Sequence, residues 1–133
     1  MPDYPPAPDP LSGFPYSNVV VSGDLVAIAS QTPFDESQHL VGPGFTEQAH
    51  QVFANLRRCL QTAGCDLADV IKVTTYLARA DFMTEYNDIY REYFQPPYPA
   101  RSTVACSLVV PGMLLQIDAF ARRPPGPGGP AAG

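Results

Sequence analysis

The stretch Pro96-Pro97-Tyr98-Pro99-Ala100-Arg101-Ser102-Thr103-Val104 decides the reading of this chain. Its prolines fix φ and remove backbone donors, so the segment is stiff, extended and not helical. It must end any helix before it, and it delivers Arg101 to the mouth of a strand beginning at Ser102. The guanidinium is permanently charged and matches a carboxylate or phosphate through two parallel hydrogen bonds. An arginine so held is either a solvated strand end or an anion clamp, and the segment alone leaves both open.

Upstream of it, Phe82, Tyr86, Ile89, Tyr90 and Tyr93 recur at helical spacing behind Asp81, which is placed to cap a helix that Pro96 stops. Before that helix, Asp69 to Leu77 is β-branched and bounded by polar residues, which predicts a strand. Ala49, Val52, Phe53, Leu56, Leu60 and Ala63 mark an earlier amphipathic helix, with Thr46 as its cap and Gly64 just past its end. Gln31 to Phe45 is a loop, with a short strand near Leu40-Val41. Nearest the N-terminus, Val19–Ser22 and Leu25–Ser30 flank Gly23-Asp24, the pattern of a hairpin with Gly23 at positive φ in a II′ turn. Downstream, strands are predicted at Ser102–Leu108 and Met113–Ala121, with Val110-Pro111-Gly112 between them as a hairpin connection.

The order is strand, strand, helix, strand, helix, strand, strand. Both helices are amphipathic, so the economical fold is α+β, a sheet with two helices on one face. Thr75, Leu115 and Ile117 cannot all point at the helices if strand side chains alternate as read here. The sheet's other face then needs cover, and copies of the chain are the natural source. Residues 1–13 read as a flexible Pro-rich arm, 14–123 as one domain, and 124–133 as a disordered Pro/Gly tail.

Composition excludes several classes. The net charge is −5 over 133 residues, with apolar content of 45%. An acidic chain whose only adjacent basic pairs are Arg57-Arg58 and Arg122-Arg123 has no phosphate track, which argues against nucleic acid and anionic membranes as partners. No apolar run is long enough to span a bilayer, and the N-terminus lacks the basic-then-apolar order of a secretory signal. Three cysteines, Cys59, Cys65 and Cys106, without CxxC spacing fit reduced thiols in a cytoplasmic protein rather than disulfides or a zinc site. No HExxH, GxGxxG, P-loop or GxSxG pattern is present.

Alternation sorts the candidates. Arg101, Thr103 and Ala105 share one face of their strand, and Cys106 points the other way, into the core. In the last strand Leu115, Ile117 and Ala119 suit the core. Gln116 and Asp118 then lie on the opposite face, within reach of Arg101 if the two strands pair. Tyr16 is a polar-tipped packing residue or a site wall. Asn87, between Tyr86 and Tyr90, faces solvent or binds something specific. His39 and His50 show no partner arrangement.

These residues carry a resemblance. Gly13-Phe14-Pro15-Tyr16-Ser17, Ala29-Ser30-Gln31-Thr32-Pro33, Gln48 through Leu56 with Gly64, Val70 through Leu77, Tyr86-Asn87-Asp88-Ile89-Tyr90 through Phe94, Pro99-Ala100-Arg101-Ser102-Thr103-Val104 and Gln116-Ile117-Asp118-Ala119 occur in order. Over residues 13–123 the chain resembles the Rid family, also called the YjgF/YER057c/UK114 family. The resemblance implies a chorismate-mutase-like α+β fold and a homotrimer whose sheets line an inner barrel, with sites between subunits. It implies hydrolysis of reactive 2-imino or enamino acids to 2-keto acids and ammonia, without metal or organic cofactor. Arg101 would clamp the substrate carboxylate, the backbones of Thr103 and Ser30 would help position it, and Tyr16 and Asn87 match pocket positions.

Two departures stand out. Active imine deaminases of the family usually carry Glu where this chain has Gln116, and Gln cannot exchange a proton catalytically. Members often have Ser-Gly-Gln where this chain has Ala29-Ser30-Gln31. Asp118, or Tyr16 with an ordinary pKa of about 10, is the remaining proton carrier. The alternatives are a diverged enzyme using the same cleft for another hydrolysis, cyclisation or tautomerisation, and a non-catalytic trimer that binds a small carboxylate. An RNA-cleaving role has been attached to the family, and the acidic chain speaks against it here.

Overall fold

The N-terminal hairpin forms as predicted. In the computed structural model, which describes residues 2–6 and 13–125, β1 (Val19–Ser22) pairs antiparallel with β2 (Leu25–Gln31), and Val21 lies opposite Val26. Gly23 takes a φ of 62° at the turn, where a side chain would be strained. Asp3 exchanges two backbone hydrogen bonds of 2.7 Å with Val21, so the chain before the hairpin runs beside the free edge of β1. The Pro-rich arm and tail read from the sequence fall partly outside the described residues.

Helix α1 spans Phe45–Thr62, one residue ahead of the predicted Thr46 cap. Gly44 is the N-cap, and the Thr46 hydroxyl instead donates to Glu85 on the second helix. The far end closes as expected. Gly64, at φ 77°, donates to Gln61 O, and Cys65 N–H donates to Leu60 O, the paired bonds of a Schellman stop.

After a 3₁₀ turn at Leu67–Asp69, β3 covers Val70–Leu77. Helix α2 is Met83–Tyr93, preceded by a 3₁₀ turn over Ala80–Phe82. Asp81 therefore does not cap α2; it lies inside that turn, and its carboxylate pairs with Arg79. The Pro96–Pro99 segment then leads into β4 (Ala100–Ala105), and β5 is Leu115–Arg122.

The sheet order is β1-β2-β5-β3-β4. This corrects the predicted hairpin between the last two strands. β4 runs parallel to β3 at the edge, completing a β3–α2–β4 unit, and β5 inserts between β2 and β3, antiparallel to both. The burial of each strand explains the choice. Leu115, Ile117, Ala119 and Ala121 are all buried, so β5 suits the centre, while β4 is largely exposed and suits an edge. Gly112 sits at φ 89°, and a Cβ there would meet Leu40 at 2.9 Å, so the Val110-Pro111-Gly112 segment is a close-packed crossing rather than a hairpin turn.

Both helices cover one face, as predicted. That face holds Val19, Val21, Val26, Ile28, Val73, Leu77, Leu115 and Ile117. It also holds Thr75, fully buried, so Thr75, Leu115 and Ile117 do share the helix side, contrary to the sequence reading. Register is the reason: Thr75 lies opposite Ile117, and Leu77 opposite Leu115.

Gln48, 1% exposed, ties the loops at one end of the sheet to α1. Its Nε2 donates to Val41 O and Gly112 O, and its Oε1 accepts from Leu114 N–H at 2.7 Å. Gln48→Ala leaves these backbone groups unpaired and is expected to cost about 1–3 kcal/mol. Thermal unfolding followed by circular dichroism checks this, and an unchanged melting temperature would show that solvent replaces the amide.

Candidate functional site

Arg101 enters β4 opposite Val73, on the helix side of the sheet. There α2 meets it. Tyr86 and Tyr90 stand one helical turn apart, so their rings form a platform, with the Arg101 guanidinium 5.5 Å from one ring centroid and 4.8 Å from the other. Arg101 Nη2 donates to Asn87 Oδ1 at 2.8 Å. Asn87, ambiguous in sequence, thus faces the arginine. Among the described residues Arg101 makes no ion pair, although other arginines do. A half-buried cation on aromatic faces, bonded to a neutral amide and lacking a carboxylate, is arranged to receive an anion. A cleft of about 260 Å³ opens beside it, lined by Asn87, Tyr90, Arg91, Tyr98, Pro99 and Arg101.

The platform is rigid from below. The Tyr86 hydroxyl hydrogen-bonds the Thr75 hydroxyl at 2.6 Å within the sheet, and burial drives its pKa well above the ordinary tyrosine value. Phe53 of α1 stacks against Tyr86 and Tyr93, at 6.0 and 4.5 Å between centroids. Tyr90 is pushed up to about 12, chiefly by burial, with the Arg101 charge opposing. Both phenols are therefore neutral at physiological pH. The sequence reading took Tyr86 and Tyr90 as apolar packing and did not single out Tyr98. The signal available was their position: two tyrosines on the helix face around Asn87, and one in the proline segment leading to Arg101.

The remaining candidates lie elsewhere. Gln116 and Asp118 face away from the helices, opposite Tyr76 and Thr74 of β3. The expectation that they share Arg101's face fails for two reasons: β4 and β5 are separated by β3, and the parallel register of β4 turns Arg101 toward α2. Cys106 is likewise not core. It is half-buried and lies beside Tyr76, on the side away from the helices, so its separation from Arg101 holds but its burial does not.

This second face carries its own polar group. Gln116 Nε2 donates to Ser30 Oγ at 3.2 Å. The bulge between Ile28 and Gln31 brings Ser30 against β5. Desolvation raises the Asp118 carboxyl pKa, outweighing the nearby Tyr76 and Thr74 hydroxyls and the Lys72 charge, which favour the ionised form. The Asp118 charge in turn raises that of Tyr76. Val104 and Phe120, 45% and 42% exposed, flank these groups, so the face is mixed polar and apolar rather than simply apolar.

Thr103 is half-buried beside Thr75, two residues beyond Arg101, and is not next to Ser30 within one chain. Tyr16 is 41% exposed before β1. His50 forms a 2.6 Å hydrogen bond with the Tyr93 hydroxyl, which gives it a packing role. Among the described residues no group of three or more His, Cys, Asp or Glu could hold a metal ion, and no helix is long and apolar enough to cross a membrane.

Comparison with known proteins adds an independent line. Residues 7–123 match the family described as endoribonuclease L-PSP. A RutC family protein of Pyrococcus horikoshii is 37% identical over 118 residues, spanning 88% of this chain and 92% of its own. Human 2-iminobutanoate/2-iminopropanoate deaminase is 34% identical over 112 residues, spanning 84% and 82%. Among solved structures, RidA from an Antarctic Psychrobacter superposes with a TM-score of 0.84 at 28% identity, over 90% of this chain and 98% of that one. A Rid family protein from Yersinia pestis gives 0.85 at 28%, over 92% and 99%. With the α+β sheet, the two helices on one face and the Pro-Ala-Arg-Ser-Thr-Val segment in place, the chain belongs to the Rid (YjgF/YER057c/UK114) family.

Proposed function

We propose that this protein hydrolyses a small 2-imino acid, or its enamine tautomer, to the 2-keto acid and ammonia. Water adds to the C=N carbon, and the C–N bond breaks with release of ammonia. Arg101 carries the reading: it is a half-buried guanidinium with aromatic support and no anionic partner among the described residues. A carboxylate supplies that partner, and the 260 Å³ cleft admits a small acid. The deaminase name of the human relative supports the same chemistry.

Catalysis needs more than a clamp. Gln116, Ser30 and Asp118 are the groups suited to orient a water, but they lie on the opposite face of the sheet. Within one chain the two sets cannot meet on one small substrate. A second copy lets them, with Arg101 of one subunit facing the Gln116–Ser30 pair of its neighbour. We therefore assign the working form as the homotrimer of the family, with the cleft closed between subunits and Tyr16 and Thr103 at its walls. Orientation of the imine beside a held water then supplies much of the rate, without a cofactor. Three free cysteines, two of them buried, favour a reducing cytoplasmic setting.

Arg101→Lys tests the clamp. It keeps the charge and loses the planar fork, so affinity for 2-oxobutanoate, the stable product analogue, is expected to fall about 10- to 100-fold. Calorimetric titration reads this directly. Equal affinity in the lysine variant would make Arg101 a structural residue and remove the reading.

A further inference from the structure

The Tyr90 hydroxyl is buried and has no hydrogen-bond partner among the described residues. It is the wrong place for an accident. Tyr90 is only 4% exposed, yet its ring forms part of the cleft wall, directly beneath the Arg101 guanidinium. Buried phenols ordinarily find an acceptor, because an unsatisfied donor loses its bond to water and gains nothing back. Its neighbours have partners: the Tyr86 hydroxyl bonds Thr75, Arg91 pairs with Asp88, and Arg101 bonds the neutral Asn87 amide while its charge stays unpaired among the described residues.

We infer that the Tyr90 hydroxyl is a second donor to the ligand carboxylate, closing a two-point receptor with Arg101. The inference rests on the reading of Arg101 as the carboxylate clamp. The hydroxyl is enclosed, with the guanidinium over its ring and the half-exposed ring of Tyr98 6.3 Å away. Both neighbours are free to shift. Arg101 is held by one hydrogen bond to a neutral amide and by ring faces, and Tyr98 is the exposed side chain of the proline segment. Uptake of a carboxylate draws the guanidinium toward the ligand and offers Tyr90 the acceptor it lacks. The arginine fork then holds both carboxylate oxygens, and one of them also accepts from the phenol. This arrangement prefers a carboxylate over an amide or ester of the same shape, since only the anion satisfies both donors.

Tyr90→Phe separates the receptor role from a packing role. Removal of an unsatisfied hydroxyl leaves the ring stacking in place, so the ligand-free variant is expected to melt at the same temperature as the parent or higher. Its affinity for 2-oxobutanoate is expected to fall about 10-fold, the loss of one hydrogen bond to a charged group. In the parent, the ¹³Cζ resonance of labelled Tyr90 is expected to shift when 2-oxobutanoate is added, which reads the contact without any substitution. A parent that binds the keto acid, with equal affinity in Tyr90→Phe and no shift at Tyr90, overturns the inference and leaves Arg101 as a sole clamp. A parent that binds no keto acid overturns both.

Discussion

Gln116→Glu is expected to speed hydrolysis of 2-iminopropionate, generated in situ, by about 10²–10⁴-fold, the usual worth of a positioned acid–base group. The parent is expected to be slow. Its Gln116 amide can hold a water through the Ser30 pairing, but it cannot take a proton from that water or give one to the leaving nitrogen. The position is favourable for a carboxylate. It is half-buried on β5, the Ser30 hydroxyl is placed to donate to it, and Asp118 lies two residues away on the same face. Burial already raises the Asp118 pKa, and a second nearby negative charge raises both. A glutamate here is therefore pushed from its ordinary acidic range toward neutrality, where one group can serve as base and then as acid.

Ser30 can hide the gain, because its hydroxyl already engages the side chain at position 116. The double variant Ser30→Gly, Gln116→Glu separates the two effects. If the double variant binds 2-oxobutanoate as the parent does and yet turns over no faster, proton transfer at position 116 is not part of the chemistry. A diverged reaction or a pure binding role then becomes the better account. A parent already as fast as active deaminases would place the catalysis in orientation alone.

Why the faces were misread and the elements were not follows from what strand and helix patterns encode. The Leu60–Gly64 stop, the Gly23 turn and the Pro96 break are local. Each depends on one residue's φ or missing donor, and each appears in the structure where the sequence puts it. Pairing order is not local. Val110-Pro111-Gly112 has the composition of a hairpin connection, but whether β5 folds onto β4 or crosses to lie between β2 and β3 depends on burial summed along both strands. That single error put Arg101 on the face of Gln116 and Asp118, which do point away from the helices as read, whereas β4 beside β3 turns Arg101 toward α2. Arg101 was legible because proline chemistry restricts it. Its aromatic platform was not, because tyrosine at helical spacing serves packing and ligand contact equally well, and only the distance from β4 to α2 tells them apart.

The largest stability loss is expected at Phe53. The ring is fully buried in α1, and Tyr86, Tyr90, Tyr93 and Phe94 of the α2 segment all pack against it. Phe53→Ala removes the transfer energy of the ring and leaves a cavity that two helices and a sheet cannot close, which costs about 3–5 kcal/mol. The lost ring pairs, each worth about 0.5–1.5 kcal/mol beyond its buried area, place the loss toward the upper end of that range. Against a typical domain stability of about 5–15 kcal/mol, the variant is marginal. Urea unfolding followed by circular dichroism measures it, as the chain has no tryptophan. The same substitution also loosens the platform under Arg101, so affinity for 2-oxobutanoate is expected to drop in the fraction still folded. Ile28→Ala provides the contrast. Ile28 is buried in β2, with β5 and β3 between its strand and β4, so it loses comparable stability while the cleft stays intact. If both variants bind the keto acid with the parent's affinity when folded, the aromatic cluster supports the fold but not the site. A loss confined to Phe53→Ala ties carboxylate recognition to the packing of α1 against α2.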